Sequence, residues 1–207
     1  MRILKVLLLF ISITGFAQEA HLPEVEITEF KEKVAHRAEN LETLSSDFVQ
    51  TKYMELMEEA VSSSGKLYYK SPNILKWEYA TPYSFKLLFK EGKLYINDDG
   101  DKSVTNLNSN KLFEKLITLI SGSINGKLLE DKQNFEITYS KIGNLVTARI
   151  VPKDENLRQM FNQIILVFNQ EYLVNSVKLM EESGDYTKIV FKNSRLNLKL
   201  VDSLFEN

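Results

Sequence analysis

The chain has 207 residues, with 26 Lys or Arg against 28 Asp or Glu, two His and no Cys. A phosphate backbone is bound by a concentrated positive face, so this charge balance argues against a nucleic-acid-binding protein. The lack of Cys excludes a disulfide framework and a lipid attached through cysteine.

The N-terminal residues have the pattern of an export signal. Arg2 and Lys5 precede an apolar run from Val6 to Thr14, and Gly15-Phe16-Ala17 places small residues at positions −3 and −1. The run has about half of the roughly 20 apolar residues that a membrane span needs. We therefore expect residues 1–17 to be a cleaved signal peptide, the alternatives being an uncleaved anchor or a buried first strand.

Cleavage would leave residues 18–207 as a mature chain with 24 basic and 28 acidic residues, a net charge of −4. We expect one domain over this range, because it contains no Pro/Ser/Gly-rich linker and no repeat of fixed period. A length near 190 residues suits a β-sandwich or barrel with a sizeable core.

The apolar period changes from helical to strand-like early in the mature chain. The spacing of Val25, Ile27, Phe30 and Val34 predicts an amphipathic helix over Glu24 to Asn40. After Leu41 the period becomes two, which predicts strands with two unlike faces. Short strands with tight turns indicate an antiparallel meander, because parallel strands would need helical crossovers. The strands are expected at 46–54, 64–70, 75–79, 85–89, 94–96, 135–139, 145–151, 164–168, 173–180 and 186–192.

Two further helical patterns interrupt the strands. The first runs from about Asn110 to Gly122, and residues 154–161 fit a short second helix. The first has a stripe of Leu112, Phe113, Leu116, Ile117, Leu119 and Ile120. The predicted fold class is therefore mainly β (α+β), with ten or eleven strands and two or three helices.

The inventory of chemically reactive residues is thin. His21 and His36, without Cys or a His-x-x-x-His spacing, do not make a zinc site. Asp98-Asp99-Gly100-Asp101 starts like a calcium loop but lacks a Glu at the twelfth position, so a hairpin turn is favoured. Glu58-Glu59 and Glu181-Glu182 border predicted turns, where solvated carboxylates are usual. We expect no enzyme activity, no metal and no cofactor.

Large aromatic side chains are abundant instead, with 12 Phe and 9 Tyr. Most fall on alternating strand positions or on the two helical stripes. They fit either an ordinary filled core or a curved sheet that leaves an apolar interior for acyl chains. Periodicity is the same in both cases, so the sequence leaves the two interpretations open.

An ordered set of motifs resembles one known family. It comprises Phe48-Val49-Gln50, Gly65-Lys66-Leu67-Tyr68, Pro72 to Tyr79 with Trp77 five residues after Pro72, then Pro82 and Gly92-Lys93-Leu94-Tyr95. Their order and spacing, after a helix and an export signal, resemble the outer-membrane lipoprotein carrier proteins, the LolA family with its LolB-like relatives. The later pattern of helix and strands continues the resemblance.

The resemblance implies a fold and a transport role. The expected fold is an incomplete, open antiparallel β-barrel of about eleven strands, with a lid of two or three helices over an apolar cavity. The expected protein is a periplasmic monomer that binds the acyl chains of lipoproteins. It would receive an acylated lipoprotein from an inner-membrane ABC transporter and pass it to an outer-membrane acceptor.

The resemblance also implies site residues. Trp77 and Tyr79 are expected in the cavity wall, and four other residues on the inner face of the lid. The further wall residues are Phe48, Leu67, Leu75, Phe85, Leu87 and Phe89. The lid residues are Phe113, Leu116, Ile117 and Ile120. A core contact would have the same composition at each of these positions.

One position departs from the family pattern. Family members commonly have an Arg directly before the Pro that aligns with Pro72, and here that position is Ser71. Lys70, one residue earlier, would point to the opposite face of a strand. Alternatives therefore stay open: a carrier of another amphiphile, such as a glycolipid or polyene-type lipid, a lipoprotein-sensing regulatory module, or, as an enzyme, an esterase.

Overall fold

The computed structural model describes residues 20–57, 60–106, 122, 124 and 126–206. These residues form one antiparallel sheet with two α-helices and two 3-10 turns. The strands are β1 (Ala20–His21), β2 (Thr43–Tyr53), β3 (Val61–Lys70), β4 (Ile74–Thr81), β5 (Phe85–Lys90), β6 (Lys93–Asp98), β7 (Asp101–Asn106), β8 (Phe135–Ile142), β9 (Leu145–Pro152), β10 (Gln163–Phe168), β11 (Val174–Met180) and β12 (Tyr186–Leu196). The helices are α1 (Glu24–Glu39) and α2 (Glu155–Met160), and the 3-10 turns are Lys127–Glu130 and Asp202–Phe205.

The sheet is open. Its strand order is β1-β8-β9-β10-β11-β12-β2-β3-β4-β5-β6-β7, so β1 and β7 are its two edges. The last strand of the chain, β12, pairs with β2 and joins the two halves, with Phe191 opposite Phe48. None of the helices in the described ranges is long and apolar enough to cross a membrane.

One face of this sheet, called here the inner face, carries two apolar clusters. In the first, Phe30 and Val34 of α1 pack over β8, β9 and β10, and the Phe30 ring lies 5.1 Å from that of Phe168 at 81°. The second cluster contains Phe48, Leu67 and Trp77 and is built on β12, β2, β3 and β4. Helix α1 therefore covers the β8–β10 half, and the second cluster lies on the other half.

Alternation along each strand explains how the inner and outer faces differ. On β3, Leu67 and Tyr69 are buried on the inner face, whereas Lys66, directly before Leu67, is exposed on the outer face. Gly65 marks a β-bulge where β3 meets β4. A Cβ added to Gly65 would collide with the carbonyl oxygen of Glu78 and lie 2.8 Å from the Cα of Tyr79. A side chain at Gly65 would therefore push β3 and β4 apart.

The predicted mainly β class and open antiparallel sheet are confirmed, as is the helix starting at Glu24. The acidic run of residues 98–101 forms the β6–β7 hairpin turn, with Asp98 opposite Asp101. Strand β7 was missed because Val104 is its single large apolar residue, which leaves no alternation to detect. The predicted helix at 110–122, the pair Glu58-Glu59 and the predicted signal peptide lie outside the described residues, apart from Gly122.

Candidate functional site: an apolar cavity on the inner face

An apolar cavity of about 130 Å³ lies on the inner face. Leu41 lines it from just before β2 and Leu44 from β2 itself. Leu67 and Trp77 line it from β3 and β4, and Ile189 from β12. The remaining lining residues are Ser46, Ile124, Leu128, Ile164, Tyr172, Leu173, Val174, Val177, Leu179, Phe191 and Ser194. Apart from the two serines and Tyr172, every lining side chain is a hydrocarbon or an indole.

A second apolar pocket of about 150 Å³ adjoins the cavity. Trp77 and Ile189 line both spaces and therefore form the partition between them. The other residues of the second pocket are Gln50, Leu75, Tyr79, Leu87, Phe89 and Leu94. Each space is smaller than the roughly 300 Å³ at which pre-formed ligand sites usually begin.

The residues expected in the cavity wall are brought together on one face. Leu67 and Trp77 line the cavity, whereas Leu75, Tyr79, Leu87 and Phe89 line the second pocket. Phe48 is 1% exposed and lies behind the wall, with its ring 4.8 Å from Trp77 and 5.1 Å from Tyr79. Phe85 lines neither space and packs at 6.1 Å from the Tyr79 ring. The expected lid residues Phe113, Leu116, Ile117 and Ile120 lie outside the described residues.

Sequence reasoning missed the contribution of the C-terminal strands to this cavity. Val177 and Leu179 of β11, and Ile189 and Phe191 of β12, line it. Their alternation marks them as inward-facing, but nothing local shows that β12 lies beside β2. The sequence therefore indicated that β11 and β12 are strands, but not that they line the cavity.

The apolar wall also contains polar groups. Ser46 Oγ donates to the carbonyl oxygen of Lys192 at 2.9 Å and lies 2.9 Å from Ser194 Oγ. Tyr79 Oη donates to Gln50 Oε1 at 2.9 Å, and burial raises the pKa of this phenol. The indole N–H of Trp77 is buried and makes no hydrogen bond of good geometry to the described residues. It is a donor at the partition between the two apolar spaces.

Ser71 stands where the family pattern has an Arg. Tyr69 is buried on the inner face and donates from Oη to the carbonyl oxygen of Pro72 at 3.0 Å. Lys70 lies on the outer face and forms an ion pair with Asp202 at 2.7 Å. Lys70 therefore does not supply a cation to the cavity, and Ser71 is exposed at the end of β3.

In the described ranges, no group of three or more His, Asp or Glu side chains is placed to hold a metal ion. His21 is exposed in β1, and His36 lies in the last turn of α1. The carboxylates Glu181 and Glu182 follow β11 at a hairpin turn, where the Glu181 N–H donates to the carbonyl oxygen of Asp185.

Known proteins resemble this chain in sequence and in fold. Residues 39–207 match the family model for "Outer membrane lipoprotein carrier protein LolA". An outer-membrane lipoprotein carrier protein of Azotobacter vinelandii is 27% identical over 207 residues, covering 100% of this chain and 94% of the relative. One from Chromobacterium violaceum is 31% identical over 169 residues, covering 79% and 75%.

Among solved structures, the Pseudomonas aeruginosa MucA/MucB complex has a chain with the same fold. It superposes with a TM-score of 0.50 at 9% identity, covering 88% of this chain and 61% of that one. The family match extends over most of the chain and over every strand of the cavity wall. The resemblance seen in the motifs is thereby confirmed, and the chain belongs to the LolA family of outer membrane lipoprotein carrier proteins.

Proposed function

We propose that this chain is a periplasmic carrier that binds the acyl chains of lipoproteins in the inner-face cavity and ferries them from the inner to the outer membrane. The observation that carries the proposal is the cavity wall itself. Five strands and the segment around Leu128 contribute hydrocarbon side chains to one space, and the chain belongs to a family of lipoprotein carriers. Such a wall suits a flexible hydrocarbon chain and not a polar substrate.

The chemistry of the wall also suits the ester or amide group that joins an acyl chain to the rest of the lipoprotein. Each CH₂ group moved from water to the cavity contributes about 0.8 kcal/mol. The Trp77 N–H makes no hydrogen bond of good geometry within the described ranges, and it offers a donor for one carbonyl oxygen, which would otherwise cost free energy on burial. Trp77, Tyr79, Leu67, Leu75, Leu87 and Phe89 are proposed as ligand contacts, with Phe48 and Phe85 supporting them.

Loading requires the cavity to widen. The two apolar spaces together are small for an acyl chain, and Trp77 and Ile189 stand between them. Ile124 and Leu128, which line the cavity, follow directly on the segment proposed as the lid. We infer that Phe113, Leu116, Ile117 and Ile120 form its inner face and that displacing this side of the cavity admits the ligand.

The proposed route has three partners: an inner-membrane ABC transporter that donates the lipoprotein, the acylated lipoprotein itself, and an acceptor at the outer membrane. One observation favours a second candidate cargo. Ser71 replaces the Arg of the family pattern, and Lys70 is engaged with Asp202 on the outer face. A carrier of another amphiphile, such as a glycolipid, is the alternative that this difference supports.

The test is to recover the mature protein from the cell envelope and measure its bound lipid. Native mass spectrometry and lipid extraction should show an acylated species, and purified protein should take up a fluorescent diacylated peptide. Protein that is always empty and takes up no acylated peptide would contradict a carrier role. Depletion in cells separates the two cargoes: mislocalised outer-membrane lipoproteins support the first, and a mislocalised lipid with normal lipoproteins supports the second.

A further inference from the structure

The outer face of the sheet carries a large excess of positive charge. On strands β3 to β7, the alternate positions that point away from the cavity hold lysines, with Glu78 as the one acidic residue among them. These lysines are Lys66, Lys70, Lys76, Lys86, Lys90, Lys93 and Lys102, of which Lys76 is buried. The cross-strand register places Lys86 opposite Asn97, and Asn97 opposite Lys102, so the charges run across the sheet in rows.

The same face of the other half of the sheet continues the pattern. Lys178 of β11 lies opposite Lys188 of β12. On its other side Lys178 lies opposite Ile165 of β10, and the next strand, β9, places Arg149 opposite Ile165. Lys192 and Arg195 extend the row of cations along β12. The outward acidic residues of β2 and β8 are Asp47 and Glu136. Positive charge therefore spans the sheet from β7 to β9.

Ion pairs neutralise only part of this charge. Lys66 binds Asp47 at 2.6 Å, and Lys70 binds Asp202 at 2.7 Å. Glu78 binds Lys86 at 3.1 Å and Lys76 at 3.4 Å. Burial alone would raise the pKa of the Glu78 carboxyl, but these two lysines together lower it. In the described part of the chain, exposed Lys93, Lys188 and Lys192 have no carboxylate within 4.0 Å.

Helix α1, on the opposite side of the sheet, is acidic on balance, with five Glu against Lys31, Lys33 and Arg37. Helix α1, which covers the inner face, presents Glu24, Glu26, Glu29, Glu32 and Glu39 to solvent. The mature chain as a whole has a net charge of −4, so the positive outer face is a separation of charge and not a property of the composition. A protein polarised in this way turns one defined face toward a negative surface, because the summed field acts over a Debye length of about 8 Å at physiological salt.

We propose that the outer face, here named the lysine face, docks on the anionic headgroups of a phospholipid membrane. The chemistry favours a membrane over an acidic protein for two reasons. First, the cations are spread over the width of the sheet. Second, they are mostly lysines, whose ammonium groups are hydrated point charges, whereas an arginine guanidinium is planar and binds a single carboxylate through two hydrogen bonds. Tyr68, Tyr95 and Tyr186 lie among them, and tyrosine is enriched at the membrane interface.

Tyr186 shows how the aromatic and cationic groups combine. Its ring stacks on Tyr53 with centroids 5.0 Å apart, and Lys178 Nζ lies 3.8 Å from its centroid. The pair of rings thus supports an ammonium group at the surface of the lysine face. Docking through this face would leave the cavity side turned away from the bilayer, so it does not depend on the cavity holding a ligand.

The experiment is co-sedimentation of the mature protein with vesicles of phosphatidylcholine alone or with added phosphatidylglycerol. Each lysine near an anionic surface strengthens binding about fivefold. The triple variant Lys93→Glu, Lys188→Glu, Lys192→Glu should therefore lower the partition coefficient on phosphatidylglycerol vesicles at least about tenfold. The matched control, Lys52→Glu, Lys132→Glu, Lys141→Glu, makes the same change in net charge at exposed positions off this face and should bind nearly as the parent does.

Each outcome decides the proposal. Selective binding to phosphatidylglycerol that weakens with salt, is lost in the first triple variant and is kept in the control supports it. Equal binding to both vesicles, equal loss in both variants, or no vesicle binding overturns it. If the parent protein binds polyglutamate but not vesicles, and the first triple variant loses this binding, the lysine face binds an acidic protein and the membrane proposal is wrong. Circular dichroism checks folding, and Lys→Gln at the same three positions replaces the first variant if it unfolds.

Discussion

The phenyl ring of Phe48 lies 4.8 Å from the indole ring of Trp77 and is inclined to it by 47°. Phe48 is on β2 and Trp77 on β4, two strands that both pair with β3. The two rings therefore join alternate strands across the inner face. This contact stabilises the wall that separates the cavity from the second pocket.

Phe48→Ala should lower the free energy of unfolding by about 3–5 kcal/mol, because Phe48 is buried and its removal leaves a space against Trp77 and Tyr79. Urea unfolding followed by the fluorescence of Trp77, the single tryptophan of the chain, measures this loss. Val25→Ala, at a residue that is 71% exposed, should change it by less than about 0.5 kcal/mol. A loss below about 1 kcal/mol for Phe48→Ala would contradict the packing described.

Val177→Trp should block uptake of an acylated peptide, because Val177 lines the cavity from β11 and the larger side chain fills it. Val190→Trp is the matched control, since Val190 lies on the outer face of the neighbouring strand β12. We expect at least about a tenfold loss of affinity for the first variant, equivalent to about 1.4 kcal/mol, and little change for the second. Fluorescence titration measures both, and equal affinities would place the ligand elsewhere.

Trp77→Phe should weaken binding of an acyl ester about fivefold, because it removes the indole N–H proposed to donate to the ester carbonyl. An ether-linked probe of the same chain length has no carbonyl at this position. Its affinity should change by less than that of the ester. Comparison of the two probes by competition titration tests the hydrogen bond, and the same loss for both would leave Trp77 with a packing role alone.

Gly65→Ala should destabilise the sheet by more than about 2 kcal/mol, because the new Cβ collides with the backbone of Glu78 and Tyr79 in β4. Gly143→Ala, at φ 57° with no neighbour within 4 Å, should cost only about 1 kcal/mol of backbone strain. Thermal unfolding of the two variants measures the difference. A Gly65→Ala protein as stable as the parent would mean that β3 and β4 separate without cost.

Glu78→Gln should lower stability at neutral pH by about 1 kcal/mol, because Lys76, which is buried, and Lys86, which is partly exposed, lose their common counter-charge. The folded protein holds the pKa of Glu78 below its ordinary value, so the contribution is full above the unfolded pKa of about 4.3. It is lost as the pH falls through the lower folded-state pKa. Urea titrations across this range should show the parent and variant converging in acid; a constant difference would point to packing instead.

The direction of each side chain was largely predictable from the sequence. Leu75, Trp77 and Tyr79 share the inner face because successive residues of a strand point to opposite sides, a rule that depends on local geometry alone. The same rule correctly separated Lys70 from the cavity side. The ordered motifs between Phe48 and Tyr95 then sufficed to indicate the family.

Strand order decided the rest. Ser46 donates to the carbonyl of Lys192, 146 positions away, because β12 returns to pair with β2. That pairing places Ile189 and Phe191 beside Leu67 and Trp77, and it also aligns the outward lysines of distant strands into one face. Local periodicity specifies which way a side chain points, but which strands become neighbours depends on burial summed over the whole chain, so the cavity and the lysine face emerge only in the folded sheet.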